Sequence, residues 1–172
     1  MTIRSLTLGL VAAALVPAGG AFADDADGPN LLENAGFEIP IAKTYSTFGE
    51  ASRNGEFALD SGWSLKMFGC FCAPFNGNGA VSIYDIPVVG GSVYRVGAAA
   101  LTPAGDQIRN GSWGGIKVEF KDASNTVVAI GERRILEGYD PKMPMEEWIP
   151  ADFIAYAPEN AVSATIVPVY LQ

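Results

Sequence analysis

Residues 116–121, Ile-Lys-Val-Glu-Phe-Lys, alternate without a break. Ile116, Val118 and Phe120 fall on one face of an extended chain, and Lys117, Glu119 and Lys121 on the other. That period of two is what a strand with one face on a core requires. The turn formers Asp122-Ala123-Ser124-Asn125 follow, and residues 126–130 return as the second arm of a hairpin. The unit recurs along the chain. Short apolar or alternating runs at 31–38, 63–71, 80–86, 92–101, 153–157 and 162–171 are separated by clusters of Gly, Pro, Asn and Asp. Among these clusters Asn76-Gly77-Asn78-Gly79 is a strong hairpin signal. About eight short strands with no helical period predict an all-β jelly-roll sandwich of two antiparallel sheets. The stretches 39–59 and 136–147 read as long loops, which in a single domain carry function or insertions.

The first 23 residues are of another kind. Arg4 precedes the apolar run 6–16, Pro17-Ala18-Gly19-Gly20 breaks it, and Ala21-Phe22-Ala23 offers small-x-small before Asp24. Those are the three regions of a secretory signal peptide, and the run is shorter than the roughly 20 residues a bilayer span needs. The expected organisation is a leader over 1–23, an acidic tail over 24–29 and one sandwich domain over 30–172. The mature protein is expected to be secreted or periplasmic. Cys70 and Cys72 then sit in an oxidising compartment, where pairing with each other or with another chain is the expected structural use.

Composition excludes more than it selects. There is no histidine among 172 residues, so no Ser-His-Asp or Cys-His machinery and no imidazole-ligated zinc can be built. With the leader gone, 10 basic groups face 19 acidic ones, a formal charge of −9 over 149 residues. Such a surface does not suit a nucleic-acid backbone. Carboxylates are plentiful, but the spacing of Glu119, Asp122, Glu132, Glu137 and Asp140 singles out no acid–base pair. The chain reads as a non-enzyme.

Residues 30–38, Asn-Leu-Leu-Glu-Asn-Ala-Gly-Phe-Glu, resemble the opening strand of the jelly-roll carbohydrate-binding modules of the xylan- and cellulose-binding type. Four more segments are similar to that family and come in its order. They are Ser61-Gly62-Trp63, Gly90-Gly91-Ser92-Val93-Tyr94, residues 118–125, and Trp148 with Ala157-Pro158-Glu159-Asn160-Ala161. The resemblance covers about residues 30–172 and implies a galactose-binding-like sandwich whose partner is a polysaccharide or glycan. It also implies a structural calcium with Glu38 as first ligand, although the aspartate that relatives supply from a further strand has no counterpart before Gln172. No other cofactor is implied.

A sugar site needs exposed rings with amides or carboxylates at their edges. Trp63, Phe37, Tyr94, Phe120 and Trp148 sit where the pattern predicts core. Trp113 lies instead in Asn110-Gly111-Ser112-Trp113-Gly114-Gly115, with Asp106, Gln107 and Arg109 close by. Trp113, Asn110, Asp106 and Arg109 are therefore the candidate ligand-binding residues, with Tyr139 and Tyr45 as further ring candidates. Tyr45 and Phe48 have the alternative role of clipping the early loop to the domain. The stripe Lys117, Glu119, Lys121 is expected to be the solvated side of its sheet. A second functional class stays open: a structural or adhesive protein that self-associates, or binds a protein partner, through an exposed sheet edge.

Overall fold

The alternating runs become strands because their apolar positions fall on one face and can be covered by a second layer. A computed structural model of the chain describes residues 5–9, 31–40, 45–59, 62–68, 79–108, 111–138 and 140–171. Its strands are β1 (Ser5–Gly9), β2 (Ser46–Phe48), β3 (Glu50–Asn54), β4 (Ser64–Phe68), β5 (Gly79–Pro87), β6 (Val93–Leu101), β7 (Trp113–Lys121), β8 (Val127–Glu137), β9 (Ile149–Tyr156) and β10 (Ser163–Leu171). Among the described residues there is no helix. Two five-stranded sheets form, in the orders β3-β4-β1-β6-β9 and β2-β5-β10-β7-β8, and every pairing is antiparallel. The chain is an all-β sandwich.

The core lies between the sheets. Leu65, Met67 and Val96 from the first face Val81, Ile116, Val118, Phe120 and Ile166 from the second, all at most 1% exposed. Strand β10 runs through the middle of its sheet, and residues 164–170 are buried on both of its faces. Such a strand reads as a continuous apolar run rather than an alternation. The hairpin turn between β7 and β8 forms as expected. The Asp122 carboxylate accepts from the amides of Ser124 and Thr126 at 2.9 and 3.0 Å, and Asn125 takes a φ of 61°.

The structure differs from the expectations at several places. Residues 31–38 form a turn instead of a first strand, with Asn34 and Phe37 at φ of 53° and 59°. Left-handed residues cannot continue a pleat, and the turn drives Phe37 into the core. The stretch 39–59 contains two short polar edge strands, β2 and β3, which carry no apolar alternation to betray them. Trp63 is 40% exposed, with the Arg53 guanidinium over its ring at 4.0 Å, and so is not core. Phe48 clips nothing and is 69% exposed. Within the segment read as a leader, residues 5–9 form the middle strand of the first sheet. Cys70, Cys72 and the Asn76-Gly77-Asn78 turn lie outside the described residues.

Candidate functional site

Five residues of β7 share the side of the second sheet that faces away from the core: Trp113, Gly115, Lys117, Glu119 and Lys121. The ladder with β10 is regular along this whole length, so each has a defined neighbour. Trp113 stands opposite Leu171, Gly115 opposite Val169, Lys117 opposite Val167, Glu119 opposite Thr165 and Lys121 opposite Ser163. Thr165, Val167 and Val169 are 1%, 6% and 8% exposed although they belong to this outer side. Neighbouring side chains on this face therefore cover them, and the charged stripe is not the open, solvated surface its pattern predicts. Lys117 and Glu119 form a half-buried ion pair at 2.7 Å, and Lys121 is buried. The Thr165 hydroxyl beneath them has no hydrogen-bond partner among the described residues.

A ring stands at each end of the row. At one end Trp113 is half-buried, with the Arg134 guanidinium of β8 stacked on it at 4.6 Å. At the other end Tyr84 of β5 is 47% exposed, with the Lys121 ammonium 5.3 Å from its ring. Hydrogen bonds from Ser82 and then Ser46 hold the Tyr84 phenol below its ordinary value; Lys121 adds to this, while slight burial and Glu119 oppose it. The two ends are eight residues apart along β7, about 26 Å at the usual strand rise. The outer face thus offers two aromatic plates, each with a cation over its ring, and between them an acid and two bases beside Val167 and Val169 of β10.

The other candidate residues fall into separate places. Asp106 belongs to the 103–106 turn, its amide donating to Pro103 at 3.1 Å. That turn meets the 138–146 segment at the end of the sandwich, where the Glu146 amide donates to the Thr102 carbonyl at 2.9 Å and Gly138 to Ser112 at 2.8 Å. A cavity of about 180 Å³ lies between them, lined by Thr102, Gln107, Ile108, Asp140, Met143 and Met145. Gly138, which also lines it, is the residue bonded to Ser112, next to Trp113 in the chain. Arg109, Asn110 and Tyr139 lie outside the described residues. Glu38 is exposed and its carbonyl accepts from Arg53 at 2.8 Å; no group of three potential metal ligands is found among the described residues.

Tyr45 is remote from Trp113, on the flank of the sheet that carries β2. Its hydroxyl donates to the Asn34 carbonyl at 2.8 Å and its ring meets Phe37 edge-on at 5.9 Å. It also lines a cavity of about 280 Å³ with Leu31, Ile83 and Tyr84. Burial pushes the phenol up to about 12, with Glu33 adding to the rise and the Asn34 contact opposing it. Tyr45 clips the 31–38 turn. In the folded protein the proton stays on to about pH 12, while an unfolded tyrosine loses it near 10. The stability this clip contributes is therefore complete below pH 10 and disappears as the pH rises through 12. Spectrophotometric titration is expected to include a late step from Tyr45. Tyr45→Phe is expected to abolish that step and cost about 1 kcal/mol.

Sequence reasoning picked out Trp113 as a candidate but not Tyr84, Arg134 or the β10 residues beside them on this face. Only the ladder, which joins segments about 50 residues apart, brings them together. Fold and face together define an antiparallel two-sheet β-sandwich with an aromatic and charged row on the outer face of its second sheet. No family model and no curated protein matches the chain. Among solved structures it is similar to the enzymatically active domain of tailspike protein 4 of bacteriophage CBA120. That likeness has a TM-score of 0.54 at 16% identity and covers 82% of this chain and 19% of that one. The chain thus spans about a fifth of that chain's length, and the likeness is one of fold. A second similar structure is the CBM22-1 xylan-binding domain from Paenibacillus barcinonensis Xyn10C, with a TM-score of 0.48 at 12% identity, covering 78% of this chain and 85% of that one.

Proposed function

We propose that the chain is an exported, non-catalytic carbohydrate-binding sandwich that takes a polysaccharide or glycan along the outer face of its second sheet. The observation that carries this reading is the row from Trp113 to Tyr84. Sugar rings present apolar C–H faces that stack on aromatic plates, and a rim of hydroxyls that needs both donors and acceptors. Trp113 and Tyr84 supply plates; Lys117, Glu119, Lys121 and Arg134 supply the rim. Arg134 is exposed on an edge strand and long enough to move off the indole or to bond hydroxyls at its edge. A shallow contact of this kind binds modestly. The absence of histidine from the sequence, and a carboxylate spacing that singles out no acid–base pair, support the non-catalytic part. Residues 1–23 support export.

Affinity electrophoresis across neutral and acidic soluble polysaccharides is expected to find at least one that retards the protein. Trp113→Ala is expected to weaken that binding tenfold or more, about 1.4 kcal/mol, with an unchanged melting temperature. No retardation by any polymer would overturn the reading. A second reading, contact with another polypeptide, is favoured by apolar residues exposed on edge strands: Ile130 on β8, and Ile154 and Tyr156 on β9.

A further inference from the structure

Strand β1 fills a channel in the first sheet. It pairs antiparallel with β4 on one side, Leu6 opposite Met67 and Leu8 opposite Leu65, and with β6 on the other, Leu8 opposite Ala100 and Gly9 opposite Ala99. Its neighbours Leu65, Met67 and Ala100 are fully buried core residues. Without β1 the sheet divides into β3-β4 and β6-β9, two pairs standing about 10 Å apart with facing unpaired edges. Yet Ser5–Gly9 lies inside the segment whose sequence is that of a cleavable leader.

These two facts can both hold if the strand is exchangeable. We propose that the channel between β4 and β6 is a strand-acceptor site. The uncut chain fills it with its own Ser5–Gly9; after removal of residues 1–23 it takes an extended polypeptide segment from a partner. The occupant seen there states the chemistry: five residues, antiparallel to both neighbours, with leucines at the register positions of Met67 and Leu65. Main-chain hydrogen bonds to both edges supply affinity and the alternate apolar positions supply selectivity. The new N-terminus cannot substitute. Asp24-Asp25-Ala26-Asp27-Gly28-Pro29 would set carboxylates at core positions and lacks an amide at Pro29. The channel belongs to the first sheet and the carbohydrate row to the second, so either proposal can fail without the other.

The test uses the full chain, folded, with a specific protease site inserted between Ala23 and Asp24. After cutting, residues 1–23 are expected to stay bound in gel filtration. They should then exchange for a labelled peptide of residues 2–10, followed by fluorescence anisotropy. The same peptide with Leu6→Asp and Leu8→Asp is expected not to enter, and uncut protein is expected to bind neither. If the cut chain loses the fragment and precipitates, rescue by the 2–10 peptide upholds the proposal and failure of rescue overturns it. Loss of the fragment with no peptide uptake and an unchanged melting temperature would also overturn it, because β4 would then have closed onto β6 unaided.

Discussion

Truncating Phe120 to alanine is expected to cost 3–5 kcal/mol, toward the upper end of the usual range for a buried aromatic, so about 4 or more. The ring is 1% exposed, one residue from the end of β7 and sealed between the sheets. Its neighbours on both sides of the ladder are small, Ala164 on β10 and Ala129 on β8, and neither can reach into the space the ring would leave. From the opposite sheet it meets Tyr94 at 6.1 Å, tilted by 39°. Tyr94 is itself tied down, since the Val89 amide donates to its hydroxyl at 2.6 Å. A site whose surroundings cannot collapse retains its cavity, and the cavity adds to the lost transfer energy. Urea denaturation should show a much lower midpoint with an unchanged slope. A loss below about 2 kcal/mol would mean that the sheets move together after all.

The second large effect is expected at Gly115. The β7–β8 ladder shifts register there: Gly114 opposes Leu136 and Gly115 opposes Arg134, leaving Ile135 as an extra residue on β8. The β8 backbone arches so closely that a Cβ on Gly115 would stand 2.3 Å from the Arg133 carbonyl oxygen and 3.0 Å from the Arg134 Cα. Both are main-chain atoms, so the strand has to move. Gly115→Ala is expected to destabilise the fold by about 3 kcal/mol. It should also weaken glycan binding, because the bulge sets where Arg134 leaves the strand to stack on Trp113. Gly105→Ala is the matched control: nothing lies within 4 Å of its Cβ, and a change within about 0.5 kcal/mol is expected. Thermal melts of the two variants side by side, with binding measured on each, check both statements.

What the sequence disclosed follows from where each signal lives. The hairpin of β7 and β8 was legible because one face is core and the other is not, so alternation marks it. Strands β2 and β3 were not, because a short edge strand with one apolar residue each, Phe48 and Ala51, has no alternation to show. Residues 31–38 misled in the opposite direction. Leu31, Leu32 and Phe37 suggest a strand, while the left-handed backbone at Asn34 and Phe37 makes a turn that local pattern does not announce. Trp113 could be picked out from its glycine-rich neighbours. Its partners could not, since Arg134 meets it only across a bulge and Thr165, Val167 and Val169 come from a strand some 50 residues on. Ser5–Gly9 was hidden because an apolar run near an N-terminus reads first as an address.

The position of β10 has a consequence for when this molecule can become rigid. Its ladders join residues 163–171 to residues 79–87 on one side and 113–121 on the other. The first of these closes a loop of about 75 residues, an entropic cost met before any contact repays it. Synthesis must therefore have delivered both segments before the second layer can assemble. Until then β5 and β7 keep bare inner edges, and the interior between the layers stays unsealed on one side.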